Sequence, residues 1–343
     1  MMQKIGNIEL KSKLVLENIS LEYEIYGEIN KQKSNVILLF HVLTSSHIAC
    51  SNDKKSSLET GWWNDFIGKG KSIDTSKYAV ICINYLGGCH GSSGSVKIND
   101  EQMEEWGANV ASITIQDIIK TQIVLLNQLG IFKLYAVIGC SIGGLMALEI
   151  ANTIPNRVNK VISFASGMRT SPMHLALNFE QIFAIEAFDK LDKNTTRGLE
   201  LSRLIALKTY ISIENISSCA SKKEYRFSDY KPKSDIETFL YNNVLSFSER
   251  FNKYSYLLLL KAWNDYVFTA KNIDEMRCQK WLIISIDSDE CYPIKEQIIL
   301  RDFLVSKKIA NKHHIATSKL GHDSFLKEEQ LYNQVIANFL HID

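Results

Sequence analysis

The 343-residue sequence has few of the features that would assign it to a specialised class of protein. Its 39 lysines and arginines nearly balance 38 aspartates and glutamates, giving a formal charge of +1. This balance excludes the strong positive field that nucleic-acid-binding surfaces require. No apolar run approaches the ~18 residues of a membrane span, and the first residues, MMQKIGNIELKSKL, lack the apolar core of a signal peptide. We therefore expect a soluble, cytoplasmic protein that binds neither nucleic acid nor membrane.

The cysteines also lack the pattern of a structural framework. There are seven, an odd number, and no CxxC or CxxH spacing occurs among them. Free thiols in a reducing cytoplasm fit this pattern better than disulfides or a zinc site. His313 and His314 are adjacent in a predicted strand, so their side chains point to opposite faces and cannot easily share a metal ion. We expect no metal site.

Apolar, strand-like runs alternate with helical patterns along the chain, which contains no internal repeat. The runs are continuous rather than alternating, as in strands that are covered on both faces. They are VILLFH (36–41), YAVICINY (78–85), LYAVIG (134–139), VNKVISFAS (158–166), WLIISI (281–286) and HHIAT (313–317). This order predicts an α/β fold with a mostly parallel, doubly wound sheet. Before these runs, residues 13–29 have the pattern of a β-hairpin that breaks at Glu17-Asn18.

A long helical stretch interrupts this alternation after the run VNKVISFAS. Residues 167–273 contain several amphipathic segments and two of the four prolines. We predict a core domain formed by residues 1–166 and 274–343. The intervening residues 167–273 are predicted to form a helical lid over the carboxyl end of the sheet.

The segment GCSIG (139–143) places a serine beside a cysteine in a glycine-rich turn between a predicted strand and a helical pattern. It fits G-x-S-x-G, a turn that holds a nucleophile in a strained conformation and needs small residues two positions before and after it. Both positions are glycines when the pattern is centred on Ser141, but they are Ile138 and Ile142 when it is centred on Cys140. Ser141 is therefore the predicted nucleophile and Cys140 a packing residue. A glycine-rich turn with a helix-capping serine is the alternative.

A carboxylate and a base follow Ser141 in the chain order that this kind of turn requires, which is Ser, Asp or Glu, His. The run WLIISI ends in DSDECYP, which offers Asp287 and Asp289, and His322 follows the last predicted strand in SKLGHDSFL. Each lies at the carboxyl end of a strand, where the sites of open α/β sheets form. We predict a Ser-His-Asp triad that uses one of these two aspartates.

Acyl transfer also needs two backbone N–H donors for the oxyanion. Ile142, directly after the nucleophile, would supply one. The loop after VILLFH would supply the other, most simply around Leu43. His41 at the end of that strand is an alternative base, although its place favours a wall-forming or loop-fixing role.

Several longer stretches resemble the homoserine O-acyltransferases of the α/β-hydrolase superfamily. They are HVLTSSH (41–47), GWWNDFIGKGKSIDTSKYAVICINYLGGCHGSSG (61–94), GCSIGG (139–144), SDECYP (288–293) and GHDSFL (321–326). The resemblance spans about residues 36 to 326, and its Gly-Trp-Trp and Leu-Gly-Gly-Cys blocks are far more specific than G-x-S-x-G. It implies an α/β-hydrolase fold with an inserted helical lid.

The resemblance also implies an acyl-enzyme mechanism. Ser141, activated by His322, would take an acyl group from acyl-CoA and pass it to the hydroxyl of L-homoserine or a related hydroxy amino acid. The match in the acid loop places the orienting carboxylate at Asp289, with Asp287 the weaker candidate. Acetyl-CoA or succinyl-CoA would be a co-substrate, and no cofactor would be permanently bound. The family commonly forms homodimers through lid helices, which implies a homodimer here.

In the family, an arginine and a tyrosine seven residues later on a lid helix bind the amino acid. Arg203 and Tyr210 have this spacing, and two helical turns put them on one face. An arginine suits this role because it binds a carboxylate through two parallel hydrogen bonds. The family uses the aspartate after the catalytic histidine, Asp323 here, for the substrate's ammonium group.

The chain departs from the family pattern at three places. Its nucleophile turn is GCSIGG where the family usually has GGSMGG, and Ser95 stands where the family has proline. The first part of the lid, between Ala184-Ile185 and Gly198-Leu199, is short. These departures leave open the acyl donor, acetyl or succinyl, and the acceptor, homoserine or serine.

Two other functions fit the same fold. One is a hydrolase that uses water as the acceptor, and the other is a catalytically silent binding module. The charged side chains proposed to bind an amino acid favour transfer over hydrolysis, because an esterase of neutral substrates does not need them. The presence of all three triad members disfavours the silent module.

Overall fold

A mixed β-sheet forms the centre of the part of the chain that the structure, a computed structural model, describes: residues 1–51, 61–94, 113–219 and 234–341. Its strands are β1 (Met2–Glu9), β2 (Val15–Tyr26), β3 (Val36–Phe40), β6 (Ala79–Ile83), β7 (Ala136–Cys140), β8 (Lys160–Phe164), β9 (Lys280–Ile286) and β10 (Ala310–Ala316), while β4 (Ile67–Gly68) and β5 (Ile73–Asp74) form a separate short pair. The order across the sheet is β1-β2-β6-β3-β7-β8-β9-β10. Pairing is antiparallel for β1–β2 and β2–β6 and parallel from β6 to β10. The predicted mostly parallel sheet is therefore confirmed.

Helices cover both faces of this sheet. They are α1 (Ile115–Gln128), α2 (Ile142–Thr153), α3 (Pro172–Leu191), α4 (Arg197–Tyr210), α5 (Ile213–Cys219), α6 (Asp235–Arg250), α7 (Lys253–Asn264), α8 (Ile273–Met276), α9 (Ile294–Ser306), α10 (Ser324–Lys327) and α11 (Asn333–His341). Every residue of β3, β6, β7 and β8 is buried. This explains why their sequences are continuous apolar runs. In the described part of the chain, no helix has the length and apolar character needed to span a membrane.

The amino-terminal hairpin differs from its prediction. The chain turns between the end of β1 and the start of β2, at residues 10–14, and not at Glu17-Asn18. Asn18 lies inside β2 with a left-handed φ of 54°, and its backbone N–H donates to the side chain of Asn7. The break in the sequence pattern therefore marks an irregular position within a strand, because asparagine tolerates this conformation better than most residues.

Helices α3 to α7 follow β8 and precede β9, within the interval 167–273 predicted for the lid. The first two cross closely, since a Cβ on Gly198 would lie 2.7 Å from the Cα of Ile185. The two ends of the short lid segment singled out in the sequence, at Ile185 and Gly198, are thus in close contact. The divergent segment that begins at Ser95 lies outside the described residues. The domain boundaries at 166 and 274 stay a prediction.

Candidate active site

The glycine-rich turn after β7 is shaped by close backbone contacts. A Cβ on Gly139 would lie 1.9 Å from the carbonyl oxygen of Gly143, and one on Gly143 would lie 2.6 Å from that of Phe40. Neither position admits a side chain without moving the backbone. Between them, Ser141 has a left-handed φ of 56°, a conformation that a non-glycine residue holds only where its surroundings impose it. The backbone therefore has the strained strand–turn–helix form that the motif predicts.

The two adjacent side chains of this turn have different surroundings. Cys140 ends β7 and is fully buried, and burial raises the pKa of its thiol. The Ser141 hydroxyl instead reaches the imidazole of His322, with 2.9 Å between Oγ and Nε2. A buried thiol with a raised pKa is a poor nucleophile. The structure thus separates a packing cysteine from a serine that contacts a base.

His322 joins the serine to a carboxylate. Its Nδ1 lies 2.7 Å from Oδ2 of Asp289, while its Nε2 faces Ser141. The other oxygen of Asp289 accepts a hydrogen bond of 2.8 Å from the backbone N–H of Tyr292. All three members of this serine–histidine–aspartate group are at most 5% exposed. A carboxylate at Nδ1 fixes the tautomer in which Nε2 can accept the serine proton.

Asp287, the other aspartate of the acid loop, does not contact His322. Its backbone N–H donates to the carbonyl of Ala316, and its Oδ1 accepts from the backbone N–H of Ser318. It therefore ties the end of β9 to the loop after β10, which carries His322. This is a structural role.

Leu43 and Ile142, the two residues predicted to supply the oxyanion donors, both lie beside Ser141. Leu43 lines the same pocket as Ser141, and Ile142 is the first residue of α2. Among the described residues, neither amide donates to a protein acceptor. The amino-terminal end of a twelve-residue helix also favours negative charge at this point.

The contacts of His41 are with a neighbouring aromatic ring and with the loop that carries Leu43. Its ring stacks on Tyr85 with 3.7 Å between centroids, and its Nδ1 lies 2.8 Å from the carbonyl oxygen of Val42. The Tyr85 hydroxyl donates to the His41 carbonyl over 2.6 Å. Burial lowers the pKa of His41 to about 3, so the ring is neutral at physiological pH. These contacts fix the loop, and sequence reasoning missed the part played by Tyr85.

A pocket of about 260 Å³ opens onto Ser141 and His322. Arg203 and Tyr210, on helix α4, line it together with Asp323. Arg203 lies over the Tyr210 ring, whose centroid is 5.8 Å from that of His322. The structure therefore brings all three predicted substrate-binding side chains to one pocket with Ser141 and His322.

Arg250, at the end of α6, also lines this pocket and was not singled out from the sequence. It belongs to none of the motifs that carry the family resemblance. Its position depends on how α6 packs over the pocket, which the sequence pattern does not reveal.

One group of potential metal ligands occurs among the described residues, formed by Asp289, Cys291 and His322. Asp289 and His322 are already hydrogen-bonded to each other within the serine–histidine–aspartate group. Cys291 lies 3.6 Å from Nε2 of the buried His174, and burial raises the pKa of its thiol. The absence of a bound metal stays a prediction.

Comparison with known proteins defines the class first. A protein-family model described as "alpha/beta hydrolase fold" matches residues 36–329 of the chain. The crystal structure of homoserine O-acetyltransferase from Bacillus anthracis superimposes with a TM-score of 0.89 at 20% identity, covering 100% of this chain and 97% of that one. Esterase E22 superimposes with a TM-score of 0.88 at 23% identity, covering 99% of both chains. The chain is an enzyme of the α/β-hydrolase fold.

More similar sequences narrow the class. Homoserine O-acetyltransferase of Methanohalobium evestigatum is 36% identical over 98% of this chain and 74% of its own length. Homoserine O-succinyltransferase of Nitrosomonas eutropha is 33% identical over 97% of this chain and 93% of its own length. The chain belongs to the homoserine O-acyltransferase family, which confirms the resemblance seen in its motifs.

Proposed function

We propose that the protein transfers an acyl group from acyl-CoA to the hydroxyl of L-homoserine or a closely related hydroxy amino acid. The observation that carries this proposal is the pocket, in which guanidinium, phenol and carboxylate groups surround the Ser141–His322 pair. A zwitterionic amino acid with a hydroxyl is complementary to such a set. Relatives named homoserine O-acetyltransferase and homoserine O-succinyltransferase, which match over nearly all of this chain, support the same reaction. The product would feed methionine synthesis.

In the proposed mechanism His322 removes the proton of Ser141 as the oxygen attacks the thioester carbonyl. The oxyanion is stabilised by the backbone N–H groups of Leu43 and Ile142. Collapse releases CoA, whose sulfur takes the proton from His322, and leaves an acyl-serine. The substrate hydroxyl then gives its proton to His322 and attacks the acyl-serine. Collapse releases the O-acyl amino acid, and His322 returns the proton to Ser141, which completes a ping-pong cycle. Asp289 keeps the imidazole in the required tautomer throughout.

Arg203 would bind the carboxylate of the acceptor, and Asp323 its ammonium. Asp323 is also 3.2 Å from the amine of Lys327, so an incoming ammonium would share this carboxylate with a lysine. Tyr210 stacks beside His322 and lines the same pocket. Burial raises the pKa of Tyr210, so it is a neutral hydrogen-bonding group.

Hydrolysis is the second candidate function, because the same fold occurs in esterase E22. We expect CoA release from acetyl-CoA or succinyl-CoA to depend on L-homoserine or L-serine and to be slow with no acceptor. The measurement is thiol release with a chromogenic reagent, run with each donor and each acceptor. The pair that turns over names the substrates. Release at the same rate with and without an acceptor would establish the hydrolase instead.

We also propose that the enzyme works as a homodimer in the cytoplasm. Four apolar side chains on lid helix α3 are exposed: Met173, Leu175, Phe179 and Phe183. The last three are spaced four residues apart and so share one helix face. Free thiols, found at Cys50, Cys82, Cys89, Cys140, Cys278 and Cys291, agree with a reducing compartment.

The exposed face of α3 yields a prediction for assembly. We expect the double substitution Phe179→Glu and Phe183→Glu to convert a dimer to a monomer, because it places charge at the centre of an apolar contact. Sedimentation velocity of both proteins at equal concentration measures this. Phe132→Glu is the matched control, since Phe132 is as exposed but lies in the loop before β7. A wild-type protein that sediments only as a monomer would refute the proposed dimer.

A further inference from the structure

Two arginines that line the active-site pocket lie against one aromatic ring, that of Phe247. The guanidinium carbon of Arg203 is 4.9 Å from the Phe247 centroid, and that of Arg250 is 5.3 Å from it. The two arginines come from different lid helices, α4 and α6. Both line the pocket that contains Ser141. The fold therefore brings two positive charges together beside the reacting groups.

Neither arginine forms an ion pair with a described residue. Arg203 donates from Nε to the side-chain oxygen of Asn243, and Arg250 donates from Nη1 to the carbonyl of Thr44 over 3.3 Å. Desolvation and then the neighbouring charge of Arg203 lower the pKa of Arg250. Two adjacent cations with neutral partners repel each other, so the arrangement favours the binding of an anion between or beside them.

The charges that line the pocket are unequal. Two guanidiniums stand against one carboxylate, that of Asp323, which already contacts Lys327. A zwitterionic acceptor would place its ammonium at Asp323 and its hydroxyl at His322. Its carboxylate would then face the arginine wall. The phosphates of an acyl-CoA are separated from the thioester by the long pantetheine arm, so they do not fit a subsite this close to Ser141.

The hydrogen bond to Thr44 gives Arg250 a fixed direction. Thr44 directly follows Leu43, whose backbone N–H is proposed for the oxyanion site. Arg250 is therefore anchored on the loop of Leu43 while it lines the pocket that contains Ser141. Arg203, on the adjacent helix, would approach the same carboxylate from the lid.

We propose that Arg250 is a second specificity-determining residue, which together with Arg203 forms a two-guanidinium subsite for the α-carboxylate of the acceptor. This rests on the proposed acyl transfer. It adds a residue that the family motifs in this chain do not include. The distal carboxylate of a succinyl group is the other source of the same chemistry, and the experiment separates the two.

The test compares Arg250→Gln and Arg250→Lys with the wild type. The acceptor is whichever amino acid supports turnover, and its counterpart without a carboxylate is 3-aminopropan-1-ol for L-homoserine or 2-aminoethanol for L-serine. We expect Arg250→Gln to raise KM for the amino acid by roughly 10- to 100-fold, with Arg250→Lys intermediate. Because Arg250 also donates to the loop of Leu43, the burst of CoA from donor alone and kcat/KM for the amino alcohol are measured alongside, and the loss with the amino acid should exceed any loss in either of them by at least about 10-fold. Arg197→Gln, on α4 and outside the pocket lining, is the matched control.

Three results would overturn the assignment. Losses of equal size in the amino-acid reaction, the amino-alcohol reaction and the acylation burst would mean that Arg250 only supports the loop at Thr44. A loss confined to succinyl-CoA would assign Arg250 to the acyl group. An unchanged KM would remove it from the subsite. Failure of the proposed function itself would look different, because the wild type would then show no acceptor-dependent CoA release.

Discussion

Replacing Ser141 with alanine is expected to lower kcat for acyl transfer by about 10⁴- to 10⁶-fold, since no other hydroxyl contacts Nε2 of His322 among the described residues. The substitution removes the atom that would carry the acyl group, so the burst of CoA from donor alone should also disappear. Intact-mass measurement after mixing with acyl-CoA gives an independent readout. The wild type should gain the mass of one acyl group and the variant none.

Cys140→Ala is the matched control, one position earlier in the same turn. The thiol is fully buried at the end of β7, so its loss should cost about 1 kcal/mol of stability and leave kcat within a few fold. Activity that survives in Ser141→Ala but vanishes in Cys140→Ala would reverse the assignment of the nucleophile. Both variants should be checked for folding by circular dichroism and thermal unfolding.

Asp289→Asn is expected to lower kcat by about 10⁴-fold while leaving the fold intact. The reason lies in the two fixed hydrogen bonds of this carboxylate. The backbone N–H of Tyr292 can only donate, so the amide oxygen of the new asparagine would face it. The amide NH₂ would then face Nδ1 of His322, which would have to become an acceptor. Its Nε2 would carry the proton and could no longer accept one from Ser141.

The control for this prediction is Asp287→Asn in the same loop. The only side-chain contact that this aspartate makes among described residues is acceptance from the backbone N–H of Ser318, which an asparagine oxygen can also accept. Steady-state kinetics should therefore show a change of no more than a few fold. If both variants lost activity equally, the loss would reflect disturbance of the acid loop and not the tautomer of His322.

The sequence was informative where chemistry requires particular residues in order. At Gly139 any Cβ would collide with a backbone carbonyl, so the position requires glycine. This requirement is why the nucleophile turn could be recognised from the sequence. The buried strands were visible because helices on both faces make them uniformly apolar. The choice between Asp287 and Asp289 could not be made from spacing alone, since both follow β9 and only their hydrogen-bond partners differ.

Other features depend on contacts that no local pattern records. Arg250 reaches the pocket through the packing of α6, and Tyr85 fixes the His41 carbonyl from a neighbouring strand end. The error at Asn18 has a different cause. An asparagine in a left-handed conformation is common in turns, yet here it lies within β2. The sequence pattern correctly indicated an irregular backbone at Asn18 but wrongly assigned it to a hairpin turn.

The separation of the reacting groups along the chain has a consequence for folding. Ser141 and His322 are 181 positions apart, and the lid helices lie between them. Closing so long a loop is entropically costly and comes after local contacts have formed. The contact between Ser141 and His322 therefore forms only after β7 and β10, the strands that precede them, have both joined the sheet. During refolding, catalytic activity is therefore expected to return after most of the secondary structure, so a partly folded chain would bear lid helices but no assembled serine–histidine pair.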